Sequence, residues 1–105
     1  MALGFGRRRE AVDQSAEEVL PRLADIVERE RTRVRGQVFR VKLRPSGGMP
    51  SLEVTLTDET GSVVAVWSGR RSIGGVGLGR VLIVEGVPVR TPDGLTFTNP
   101  AYELR

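Results

Sequence analysis

A chain of 105 residues, 39% hydrophobic and 28% charged, has room for one small domain and a short appendage but not for two cores. It contains no cysteine and no histidine, which excludes disulfides, thiol nucleophiles, zinc knuckles and any Ser-His-Asp or Cys-His relay. Sixteen basic residues against thirteen acidic ones give a net charge of +3, and Lys42 is the only lysine. Forked guanidinium groups suit phosphate partners, and an arginine-favouring codon usage gives the same composition.

From the N-terminus, "MALGFGRRRE" sets apolar residues ahead of its arginines, the reverse of a secretory signal. The longest apolar run, Val63 to Trp67, is too short to span a bilayer, so the cytoplasm is the expected location. Residues 10–31, "EAVDQSAEEVLPRLADIVERER", lack glycine and read as a helical arm. Ser15 and Glu18 form a capping box, and Pro21 would interrupt a ladder begun there. Pro21 suits the first turn of a separate helix reaching about Glu30. Leu23, Ile26 and Val27 would share one face of it, and Asp25 and Arg29 would pair at i,i+4. So short a helix is marginal alone and must dock. The chain therefore divides into a helical arm, 1–31, and a β domain, 32–105.

After Thr32 the period changes to two. In "RVRGQVFRVKLR", residues 33–44, Arg40, Lys42 and Arg44 alternate with Val41 and Leu43, and Phe39 shares the parity of the aliphatic pair. Gly36 marks a bulge or sharp coil in this long first strand. "PSGGMP" is a loop, and "SLEVTLTD" puts Leu52, Val54 and Leu56 on one face of a second strand. "ETG" turns into "SVVAVWS", a third strand apolar on both faces. "RVLIVEGV", 80–87, is a fourth, and a Pro-Asp-Gly turn leads into a fifth, "LTFTN".

Between strands three and four lies "WSGRRSIGGVGLGR", with five glycines and two adjacent arginines. Its glycines fit neither G-x-G-x-x-G nor a P-loop, and no helix follows to offer its N-terminus to a phosphate. The expected role is structural. Positive-φ glycines would carry the chain over one end of the sheet while Ile73, Val76 and Leu78 plug it.

Five short strands with regular turns predict a small all-β barrel. The pattern V-x-G-x-V, D-x-T-G, a third strand closing on an aromatic before glycine, V-x-G, and a final N-P-x-Y-E resembles the OB domains of the anticodon-binding and helicase-wedge superfamily. It is especially similar to small actinobacterial proteins described as carrying an OB-fold nucleic-acid-binding domain. The resemblance covers residues 33–105 and implies a five-stranded OB-fold barrel carrying an N-terminal helical arm. It also implies a nucleic-acid partner, single-stranded DNA or RNA, bound with little sequence selectivity. Two departures stand out: the glycine loop replaces the helix usual between strands three and four, and no helicase or synthetase catalytic motif is present.

The expected phosphate contacts are Arg40, Lys42 and Arg44 on strand one, Arg70 and Arg71 at the barrel mouth, and Arg90; the same charges on a strand also suit a merely solvated face. Stacking rings are few. Trp67 shares parity with Val63 and Ala65, Phe97 alternates with Leu95, Phe39 goes with Val41 and Leu43, and Tyr102 closes the barrel. The carboxylates Glu53, Asp58, Glu59, Glu85, Asp93 and Glu103 show no pairing at metal-ligand spacing, so no catalytic residue, metal or cofactor is expected. A rival expectation is a protein-interaction module or homodimer. Val64, Val66, Val81 and Ile83 should point outward from strands three and four, and either the arm or a partner would cover them.

Overall fold

The computed structural model describes residues 18–105. After a single 3-10 turn, Leu23–Asp25, the chain forms β1 (Thr32–Ser46), β2 (Met49–Asp58), β3 (Gly61–Ser68), β4 (Val81–Gly86), β5 (Val89–Thr91), β6 (Gly94–Thr98) and β7 (Ala101–Leu104). One sheet holds all seven, in the order β5-β6-β3-β2-β1-β4-β7. All neighbours are antiparallel except β3 and β6, which run parallel through Val64–Thr96, Ala65–Phe97 and Val66–Thr98.

That order cannot lie flat. β6 and β7 stand five strand positions apart, about 24 Å in a flat sheet. In the chain only Asn99 and Pro100 separate them, a span of at most about 11 Å. The sheet therefore curls until its two sides meet at this corner. The corner is pinned by Asn99, at φ 50°, whose N–H donates to the Val66 carbonyl (2.6 Å) and whose side chain accepts the Ser68 N–H (2.9 Å). The Trp67 indole donates to the Pro100 carbonyl at 3.1 Å. The fifth strand expected at "LTFTN" forms as β6, with β5 before the Pro-Asp-Gly turn and β7 beyond Pro100, which has no N–H to continue a ladder where the chain changes neighbours.

The curled interior holds Val34, Val38, Leu52, Val54, Leu56, Val63, Ala65, Trp67, Leu82, Val84 and Phe97, with Ile73 and Leu23 capping it. Gly36 is required, for a reason other than a bulge. A Cβ there would lie 2.8 Å from the Leu56 Cβ, so β1 and β2 approach closely only because the side chain is missing. Gly36→Ala is expected to cost about 2 kcal/mol or more in thermal unfolding, while Gly74→Ala, which meets nothing within 4 Å, leaves the transition in place.

The bulge sits three residues later. Val38 opposes Leu56, but Arg40 opposes Thr55, leaving Phe39 as an inserted residue. Before it, even-numbered residues Val34, Gly36 and Val38 face inward. After it, Val41 and Leu43 oppose Val54 and Leu52 and share their face, though both remain exposed where β1 runs past the core. Without the insertion Arg40 and Lys42 would point into the core.

The arm departs most from expectation. The capping box at Ser15 and residues 10–17 lie outside the described residues. Over 21–30 no helix forms, only the Leu23–Asp25 turn. The β domain claims the backbone instead. The Leu23 N–H donates to Asp58 (2.9 Å), the Ala24 N–H to the Thr60 hydroxyl (3.1 Å) and the Arg29 N–H to the Pro88 carbonyl (2.8 Å). Ile26 is extended and Arg29 has φ 71°, both incompatible with helix. Leu23 is buried, Ile26 packs against the core, and Val27 stays exposed. Asp25 pairs with Arg22 (2.9 Å) rather than with Arg29.

The glycine loop behaves as a strap. Gly69, Gly75 and Gly79 have positive φ, and the Gly79 N–H donates to the Val38 carbonyl at 2.9 Å. Ile73 is buried and Val76 packs on the core, but Leu78 is exposed and plugs nothing.

Candidate nucleic-acid interface

The bulge that turns Arg40 and Lys42 outward also places Phe39 beside them. On the outer face of β1, β2 and β3 runs a groove of about 300 Å³ lined by Phe39, Arg40, Lys42, Glu53, Thr55, Thr57, Ser62, Val64 and Asp93. Val64 is its apolar floor. Phe39, 62% exposed, is the aromatic ring among the described residues that line it. Threonine and serine hydroxyls and two cations are groups that contact phosphate and sugar, and an exposed ring is one on which a base stacks.

The electrostatics of the groove are nearly balanced. Among the described residues neither Arg40 nor Lys42 is in an ion pair, so both are available. Glu53 and Asp93 contribute opposing charge, and Glu53 holds Arg44 at 3.3 Å.

Of the six cations expected to contact phosphate, the groove collects Arg40 and Lys42, and Arg44 lies on the same outward side opposite Ser51. Arg71 stands near the β1–β2 turn, in a second hollow with Leu43, Arg44, Met49 and Pro50. Arg70 is exposed on the loop that follows β3. Arg90 is elsewhere. It opposes Leu95, which packs against the core, so it projects away from the groove side; there its Nε lies 3.9 Å from Glu28.

Phe39 is the residue that parity misassigned. The cue was present in the sequence: the apolar set of one strand is even at Val34 and Val38 and odd at Val41 and Leu43, and only an inserted residue reconciles the two. Trp67 is core, 4% exposed, with its ring edge-to-face with Tyr102 at 5.7 Å.

The carboxylate of the D-x-T-G turn has a structural task. Asp58 accepts the Thr60 N–H (2.7 Å), the Thr60 hydroxyl (2.6 Å), the Gly61 N–H (3.1 Å) and the Leu23 N–H (2.9 Å). Burial pushes its pKa up, and these four donors outweigh that and hold it below the ordinary carboxylate value. A second anchor of the arm is Glu18, which takes two bonds from Arg33 (3.0 and 3.1 Å); that hydrogen bonding holds the Glu18 carboxyl below its ordinary value against a smaller opposing effect of desolvation. Among the described residues no group of His, Cys, Asp or Glu could hold a metal ion.

The outward valines expected to need a partner are largely covered within the chain. Ile83 is fully buried, flanked by Arg35 and Glu103, and Arg35 reaches the Glu18 carbonyl. Val64 is 7% exposed beneath the groove. Among the described residues the exposed aliphatics are instead Val41, Leu43 and Met49 around the β1–β2 turn, along with Val19, Val27, Leu78, Val87 and Val89.

A curled, otherwise antiparallel sheet with one parallel pairing, β3 against β6, and a groove across β1, β2 and β3 is the architecture of a small OB-type β domain. The chain belongs to the tRNA anticodon family of OB-fold nucleic acid binding domains, whose model matches residues 32–105, from the first residue of β1 to the end. Among curated proteins no relative matches the chain.

Proposed function

We propose that this protein binds single-stranded nucleic acid, DNA or RNA, in the Phe39–Arg40–Lys42 groove, with little sequence selectivity and without catalysing a reaction. The curled sheet acts as a five-stranded OB barrel in which β6 and β7 count as one broken strand. The observation that carries the proposal is the exposed Phe39 ring lining one groove with Thr55, Thr57 and two outward cations. The ring offers sequence-tolerant stacking, the cations take phosphates, and the few polar groups aimed at base edges leave selectivity low. Glu53 and Asp93 keep the affinity modest. No helix among the described residues is long and apolar enough to cross a membrane, and we place the protein in the cytoplasm.

Phe39→Ala tests this. Loss of one stacked base is worth about 1–3 kcal/mol, so affinity for a short oligonucleotide falls by roughly tenfold or more, while Phe39→Trp retains it. Unchanged affinity in Phe39→Ala, read by fluorescence anisotropy, overturns the assignment of the groove.

A further inference from the structure

β1 is fifteen residues long and its two edges are not equally occupied. β2 pairs along it from Gln37 to Ser46, but β4 lines the opposite edge only from Thr32 to Gln37. Val38 finds partners just beyond, its N–H bonding the Arg80 carbonyl (2.8 Å) and its carbonyl the Gly79 N–H (2.9 Å). From Arg40 to Pro45 no backbone partner on that edge exists among the described residues. Alternate N–H and C=O groups there face outward, a template for another strand. The short β5 edge is guarded by contrast: Glu28 accepts the Arg90 N–H at 3.3 Å, and the Arg29 N–H occupies the Pro88 carbonyl.

The side chains along this open edge sort by face. Arg40, Lys42 and Arg44 stand on one side. On the other, Val41 is 37%, Leu43 51% and the neighbouring Met49 56% exposed, beside a hollow of about 280 Å³ that Arg71 also lines. Cations alternate with uncovered aliphatics along an edge whose peptide groups have no backbone partner among the described residues.

We propose that this edge takes up an extended segment of a partner protein, with alternating acidic and aliphatic side chains, as an added β-strand. The acids would oppose Arg40, Lys42 and Arg44, and the aliphatics would cover Val41, Leu43 and Met49. A second copy fits worse, because antiparallel self-pairing sets the cationic triad against itself. A nucleic-acid strand would satisfy the cations but leave the peptide groups and three aliphatics unpaired. The inference does not depend on the groove binding nucleic acid.

The probe is a fluorescent, capped heptapeptide of alternating glutamate and valine, compared with its lysine–valine counterpart. The acidic peptide is expected to bind the full chain, to slow hydrogen exchange within residues 40–45 by about tenfold or more, and to lose at least about tenfold in affinity in Leu43→Glu. Leu43 is half-exposed, so that variant retains the core, and exchange on the unsubstituted protein reads the edge without any variant. No binding, equal binding of the lysine peptide, or unchanged exchange at 40–45 overturns the proposal. So does concentration-dependent dimerisation abolished by Leu43→Glu, or protection of the same amides by an oligonucleotide in place of the peptide.

Discussion

Asp58→Ala is expected to lower the melting temperature by on the order of 15 °C. Four donors converge on this one carboxylate, and removing it leaves the Thr60 and Gly61 N–H groups and the Leu23 N–H without their acceptor. Orphaned donors cost about 1–3 kcal/mol each where water cannot reach them, and partial exposure here brings the sum to about 2–4 kcal/mol. In a domain of this size each kcal/mol moves the midpoint by about 4–8 °C. The loss is larger than that of a surface turn because Asp58 also holds the 3-10 turn that seats Leu23 over the core. Acid should mimic the substitution. Asp58 has a folded pKa below its ordinary value, so its contribution is fully present above about pH 4 and drains as pH falls through the folded value. Glu18 adds a contribution of the same sign. Thermal unfolding from pH 7 to pH 3 checks both points: the Asp58→Ala transition should be low throughout and less sensitive to acid than that of the unsubstituted protein. Equal midpoints at pH 7 would remove Asp58 from the account of how the arm is held.

The second large effect concerns binding. Replacing Arg40, Lys42 and Arg44 together with Ala is expected to abolish most oligonucleotide binding at moderate salt while leaving the fold intact. All three are outward-facing, and exposed strand charges contribute little to stability; Arg44 is 49% exposed, although its partner Glu53 is only 11% exposed. Each lost phosphate contact should reduce the slope of log affinity against log salt by about 0.7 on single strands, equally for all sequences. Arg90→Ala is the internal control. That arginine projects from the other side of the β5–β6 hairpin and should change neither affinity nor slope.

The strands were legible because alternation is a local signal: β1 to β4 appear within a residue or two of where periodicity sets them. The D-x-T-G turn and the glycine loop were equally visible, since turn chemistry is written in a few adjacent residues. The arm misled because its apolar spacing fits a helix in isolation, whereas its conformation is decided by Asp58, Thr60 and Pro88, far away in the chain. The same holds for Ile83, which looks unpartnered until Arg35 and Glu103 come up on either side of it. Phe39 is the instructive case at the site. Parity counted back from Val41 and Leu43 assigns it to the interior, parity counted forward from Val34 and Val38 assigns it to the exterior, and that conflict reveals the bulge that exposes it. Arg90 could not be separated from the other cations, because composition does not say which side of a hairpin a charge takes.

The most direct test of the central claim is a salt titration of the unsubstituted protein against single- and double-stranded DNA and RNA of about a dozen nucleotides. The account predicts measurable binding to single strands at low salt, weaker binding to duplexes, little dependence on sequence, and a log–log slope of about −1.5 to −2, the value for two or three phosphate contacts. Absence of affinity for every oligonucleotide at low salt would contradict it.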